Sequence, residues 1–260
     1  MERRRPKSVG LATFVGSLLL GSLSAQHNAE PADSYLPVFL ESAWGLKSGQ
    51  TLLWSGVEFE EDSGDFPTFK TIVHVRHGLS DRLMVQATSL LVRFNSGTYT
   101  AWGGSNPSFG LQYRVPLPSE DKWGLQFKAD VLPAWGGFAT ARTCFSPGID
   151  FSRRLGTVGL HVNGTVTAGS SDNRVVWVSE VDRWRVSAGY DWRPKDGAWT
   201  IMMAWIRAQP IRPKPVETTA EIGLLRRLSS SWSVGSGAGV SLTEKGQEYI
   251  LRFGIRYAAP

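Results

Sequence analysis

The sequence predicts an all-β protein: an antiparallel up-and-down transmembrane β-barrel of about twelve strands, within a range of ten to fourteen. Three observations carry this. Side chains alternate with a period of two in run after run, the connections alternate between short and long, and no stretch after Leu23 is long and apolar enough for a membrane helix. The alternation is plainest at the end of the chain. Trp232, Val234, Ala238, Val240 and Leu242 share one parity, while Ser233, Gly235, Gly237, Gly239 and Ser241 share the other. After the small polar turn at 243–246, Tyr249, Leu251, Phe253, Ile255 and Tyr257 face one way and Arg252, Gly254 and Arg256 the other. A soluble sandwich would also bury one face of such strands. A greasy parity with aromatics at its ends, opposed by small and charged residues, fits lipid outside and a wet lumen inside.

The chain opens with Arg3, Arg4, Arg5 and Lys7 ahead of an apolar core at 9–23, and Leu23-Ser24-Ala25 offers a small-residue cleavage site. Gly10, Gly16 and Gly21 interrupt a core already too short to span well, so residues 1–25 read as a cleaved signal peptide. The flanking pattern of the twin-arginine route is missing, which points to general secretion. Without these residues the chain carries 24 Lys plus Arg against 22 Asp plus Glu, a balance that gives no reason to expect a nucleic-acid partner. Cys144 is the lone cysteine, so no internal disulfide framework is available. Eleven Trp, twelve Phe, six Tyr and 28 Gly suit strands with aromatic belts.

Residues 26–49, with Pro31, Pro37 and an apolar patch at 36–40, read as an irregular periplasmic lead-in that forms a plug or an edge. The barrel then occupies 50–258. Its twelve runs are 51–60, 68–77, 82–94, 108–115, 122–132, 148–154, 157–168, 183–192, 198–207, 216–228, 231–242 and 247–258, several near the nine to eleven residues that a tilted strand needs. In the run at 183–192, Trp184, Val186, Ala188, Tyr190 and Trp192 oppose Arg185, Ser187, Gly189 and Asp191; in 122–132, Trp123, Leu125, Phe127, Ala129 and Val131 oppose Gly124, Gln126, Lys128 and Asp130. Connections at 78–81, 116–121, 155–156, 193–197 and 229–230 are short, whereas 61–67, 95–107, 135–147, 169–182 and 208–215 are mostly longer. That alternation predicts short periplasmic turns, long external loops and both termini inside.

Four segments carry a family resemblance: Gly78-Leu79-Ser80-Asp81-Arg82-Leu83, Asn106-Pro107-Ser108-Phe109-Gly110-Leu111-Gln112-Tyr113-Arg114, Leu228-Ser229-Ser230-Ser231-Trp232-Ser233-Val234 and Arg252-Phe253-Gly254-Ile255-Arg256-Tyr257. Across 50–257 the chain resembles the bacterial outer-membrane transporter-type barrels associated with the meta-pathway of phenol degradation. The resemblance implies a Gram-negative outer membrane and passage of hydrophobic or aromatic compounds, and it supplies no catalytic residues. The chain departs from the usual outer-membrane ending, because Ala258-Ala259-Pro260 follow the last aromatic.

The inward parity nominates Lys70, His74, Arg76, Arg114, Lys128, Asp130, Asp150, His161, Arg185, Asp191, Arg252 and Arg256 as lumen-lining residues. Either they border water, in which case the basic excess predicts a mild anion preference, or they pair across neighbouring strands and fill a narrow barrel. His74 and His77 lie three apart and face opposite sides of a strand, so they do not jointly hold a metal, and no metal or cofactor is expected. His161 with Ser152 or Ser187, backed by Asp150, would make an acid–base pair, but no nucleophile motif marks either serine and the chain reads as a non-enzyme. The pattern supports three functions, in descending order: passive passage of small solutes, a closed structural or interaction barrel whose external loops bind a partner, and an outer-membrane hydrolase. The expected partners are outer-membrane lipid, a small-molecule solute and the barrel-insertion machinery.

Overall fold

A computed structural model describes residues 38, 40–62, 67–95, 100–120, 122–140, 142–169, 182–194, 197–210, 216–243 and 247–259. The signal segment, the rest of the lead-in and most of the 169–182 connection lie outside the described residues. The strands are β1 (Thr51–Asp62), β2 (Thr68–Gly78), β3 (Leu83–Asn95), β4 (Thr100–Gly104), β5 (Ser108–Arg114), β6 (Trp123–Leu132), β7 (Cys144–Leu155), β8 (Val158–Val166), β9 (Asp182–Trp192), β10 (Trp199–Pro210), β11 (Glu217–Arg227), β12 (Trp232–Ser241) and β13 (Gln247–Ala259). Each pairs antiparallel with its neighbours, β13 returns to β1, and β2 joins β3, so the sheet closes on itself. β4 and β5 pair with successive halves of β3 and share one position in the wall, which makes the barrel twelve-stranded as the sequence predicts.

Two runs differ from the sequence-based expectation. The run expected at 148–154 begins at Cys144, because Pro147 is accommodated within β7 opposite Ala129, its ring exposed on the outer face. A proline has no N–H to give to a ladder, so it weakens a strand signal read from sequence. The loop expected at 95–107 contains β4, whose two glycines hide it from propensity. Gly136, at φ +118°, lies so close to Gly104 that a Cβ would sit 2.2 Å from the Gly104 carbonyl oxygen, and Phe138 donates its N–H to that oxygen at 2.9 Å. The two glycine clusters thus pack one long-loop segment onto another.

The alternation sorts the barrel into two surfaces. Leu111, Phe127, Ile149, Val162, Ile222, Phe253 and Ile255 all point outward and are exposed, an apolar band that only a lipid phase would leave favourable. Trp123, Trp192, Trp199, Trp232 and Tyr257 gather at the short-turn end, where Arg153 lies 4.4 Å over Trp123 and Arg226 lies 5.0 Å over Trp199. Such pairs let a cation reach polar headgroups across an aromatic rim.

The seam between the chain's two ends is built differently. Gly56 faces Gly254 across β1 and β13, and Gly235 faces Gly254 across β12 and β13. Trp54 lies buried in the lumen over this flat wall, and a Cβ at Gly56 or Gly254 would come within 2.5 Å of its ring.

Candidate functional site

The lumen is not left to water. Part of the lead-in, read from the sequence as a periplasmic plug or edge, runs along the inside: Val38, Leu40, Ser42, Ala43 and Trp44 are all buried. The inner wall holds this segment by its backbone. Asn163 accepts the Glu41 N–H and donates to the Glu41 carbonyl, both at 2.8 Å, and Ser152 Oγ accepts the Ala43 N–H at 2.9 Å. Arg114 donates to the Trp44 carbonyl at 3.0 Å. Farther along, Gly49 donates to the Gly78 carbonyl and Ser48 to the Asp81 carboxylate, which fixes the segment at the short-turn end before β1 begins. An inward-facing polar side chain on a strand is well suited to this, since it satisfies backbone groups that have no ladder partner.

The predicted inward residues take up two charge clusters and a polar ladder. In the first cluster Lys70 bridges Glu58 at 2.9 Å and also meets Glu60, while Arg252 meets Glu58 and bridges Glu221 at 2.9 Å. Arg256 stands nearby and donates to Ser233 at 3.5 Å. In the second, Lys128 lies 3.0 Å from both Glu41 and Asp150, and Arg76 lies 3.4 Å from Glu41 while donating to His74, which in turn bonds Thr88. Burial alone would raise the Glu41 carboxyl, but Lys128 and Arg76 outweigh it and hold the group at about 2. The ladder runs Gln126 to Gln112 to Gln86 to Asp130, each amide donating to the next at 2.5–2.7 Å. Arg185 turns to Asp182 at 2.7 Å, close to the long-loop end.

His161 finds its partners elsewhere than expected. Its Nδ1 bonds Ser152 at 2.8 Å and its Nε2 bonds Asp191 at 2.6 Å, so the carboxylate behind it is Asp191 rather than Asp150. Asp150 instead accepts from Lys128 and Asn163, and Ser187 donates to Asn163. Arg154 and Arg193 each reach Asp191 at 3.1 Å, and the Trp44 ring meets the imidazole edge-on at 5.7 Å. The bonds have the order of an acid–base relay. Yet Ser152 is fully buried and its oxygen already accepts the Ala43 N–H, so the arrangement works as a staple between wall and lead-in.

Part of the remaining wall is apolar. Met202, Ala204 and Ile206 of β10 and Leu225 of β11 face inward and pack with Val38 and Leu40 as one cluster. Toward the long-loop end, beside the lead-in and the charged wall, lies a mostly polar cavity of about 170 Å³ lined by Leu40, Glu41, Lys128, Asp130, Asn163, Thr165, Arg185 and Ser187.

Solved structures share this architecture. The COG4313 outer membrane channel from Pseudomonas putida F1 superposes with a TM-score of 0.60 at 12% identity, covering 83% of this chain and 97% of that one. The KdgM porin gives 0.57 at 9% identity over 79% and 98%, and the NanC porin 0.55 at 11% over 80% and 98%. The chain shares the β-barrel fold of these proteins. Joined to the lipid-facing band, that fold makes the chain a membrane-spanning β-barrel. No family model matches the chain, and no curated protein matches it.

Sequence reasoning paired His161 with Ser152, as observed, but missed Glu41, Glu58, Glu60 and Glu221 and the hold that Ser152 and Asn163 take on the lead-in. Glu58, Glu60 and Glu221 share the inward parity of their strands, but Leu52 and Trp54 on that same parity of β1 masked the signal. The acids also offset the basic excess on which the anion preference rested.

Proposed function

We propose that this barrel, exported by cleavage of residues 1–25 and placed by the insertion machinery with its short turns in the periplasm, gives small solutes a passive route through the outer membrane, with residues 40–45 as an internal plug. The observation that carries this reading is the way the plug is held. Side chains and a few backbone bonds retain it, without strand pairing, and a cavity of about 170 Å³ continues the lumen beyond it. The apolar stripe on β10 and β11 suits solutes with an apolar body, in keeping with the hydrophobic or aromatic compounds that the resemblance to the phenol meta-pathway barrels implies.

Planar-bilayer conductance tests this. The parent should conduct weakly, and Glu41→Gln with Asn163→Ala, which release the plug's side-chain and backbone holds, should raise conductance at least about tenfold. No current from the double variant would leave the second reading, a closed structural barrel, which the ion pairs filling the lumen favour. Orientation has its own check. A tag placed at 96–99 should be labelled on intact cells and one at 116–121 should not.

A further inference from the structure

We infer that the short-turn rim of the barrel carries two docking sites for anionic glycerophospholipids, one at Arg153 and Trp123 and one at Arg226 and Trp199. The inference goes beyond the passage of solutes and does not depend on it. Among the described residues of the strands, the outward parity carries four arginines, Arg93, Arg153, Arg207 and Arg226, with one acid, Glu61 at the long-loop end, and no lysine. Three of the four stand directly opposite a tryptophan of the neighbouring strand and lie over its ring: Arg93 on Trp102 at 5.6 Å, Arg153 on Trp123 at 4.4 Å and Arg226 on Trp199 at 5.0 Å. A border that asked only for charge would be served as well by lysine. A pairing repeated on three separate strand pairs points to a ligand that uses the guanidinium fork.

An arginine held over an indole keeps its N–H edge for an acceptor, and a phosphate takes two such donors at once. Arg153 is exposed and meets no carboxylate among the described residues. The surface around it suits the rest of a lipid. The Phe151 ring lies 5.5 Å from that of Trp123, Leu160 stands opposite Arg153 on β8, and the exposed Phe127, Ile149 and Val162 continue toward the middle of the apolar band. A phosphate at Arg153 with its acyl chains along these residues satisfies both surfaces, whereas free phosphate would satisfy only the first. In phosphatidylcholine the phosphate is already compensated by the ammonium of its own headgroup. In phosphatidylglycerol it is not, so the sites favour the anionic lipid.

Native mass spectrometry of the full chain, released from vesicles of phosphatidylcholine and phosphatidylglycerol in equal amounts, reads which lipid stays bound. Phosphatidylglycerol should be enriched about fivefold over phosphatidylcholine. Arg153→Gln with Arg226→Gln should abolish the enrichment, and Arg153→Lys with Arg226→Lys should lose most of it although the charge is kept. Arg82→Gln, exposed in a turn at the same end, should leave it unchanged. Where a double variant does not insert, the single changes should each show part of the loss. Enrichment that survives in full with the two lysines, or falls as far with Arg82→Gln, means a diffuse attraction and overturns the sites. Equal retention of the two lipids by the parent overturns them too, as does loss of phosphatidylglycerol on adding inorganic phosphate, which would reduce the contact to the ion alone.

Discussion

Two clusters of buried charge occupy one barrel and differ in a single respect. The seam cluster of Lys70, Glu58, Glu60, Arg252 and Glu221 is drawn wholly from strands β1, β2, β11 and β13. The cluster at Lys128, Arg76 and Asp150 is completed by Glu41, which belongs to no strand. In the first, every charge is fixed by the register of the sheet, so removing one leaves its buried partners less compensated. In the second, one charge lies on a segment held by side chains and a few backbone bonds, and the proposed passage requires that segment to leave. The same chemistry thus serves as cement in one place and as a latch in the other.

The largest effect should come from breaking the cement. Glu58→Gln leaves Lys70 and Arg252 sharing less compensation and should cost about 3–5 kcal/mol in urea unfolding from vesicles; a cost no greater than that of Glu41→Gln would erase the distinction. The outer side of the same seam is next. Phe253, beside Arg252 in sequence but exposed on the lipid face, should lose about 2–4 kcal/mol as Phe253→Arg, showing that a charge is tolerated only on the inner parity. If that variant enters membranes as well as the parent, the lipid-face assignment is wrong.

Smaller effects probe the latch. Ser152→Ala removes the acceptor of the Ala43 N–H and a partner of His161, and should cost about 1–3 kcal/mol while raising conductance, since it loosens the plug without touching Lys128. A stability loss with unchanged conductance would make Ser152 part of the wall alone. Glu41 gives a pH signature. Its carboxyl is depressed from 4.5 to about 2, so its contribution to docking is fully present above about pH 4.5 and is lost as the pH falls through about 2. The parent should therefore open progressively between those values, and Glu41→Gln should show no such transition.

Much of the architecture was legible because lipid and lumen impose opposite demands on adjacent residues. Trp184, Val186 and Tyr190 against Arg185, Ser187 and Asp191 leave no other reading for β9, and the alternation of connections fixed the up-and-down order. The site was legible only in part. Arg252 and Lys128 announce themselves by parity, but nothing in the sequence says that Arg252 pairs with Glu58 and Glu221 rather than with an aspartate, because such choices depend on stagger between strands far apart in the chain. β10 shows the converse failure. Met202, Ala204 and Ile206 face the lumen, so its inner parity is as apolar as its outer one, and periodicity cannot tell that the stripe awaits Val38 and Leu40. The plug was hardest to read, since a segment without regular structure carries no period at all.

Trp54 sets a clock on assembly. Its bed is the Gly56–Gly254 pair, and those two residues come from opposite ends of the chain, which makes their meeting among the slowest that the topology demands. Until β13 zips onto β1 the indole has no floor to lie on, and afterwards it is sealed from solvent. A change in the emission of that one indole would therefore mark the instant of ring closure and separate it from every earlier hairpin event.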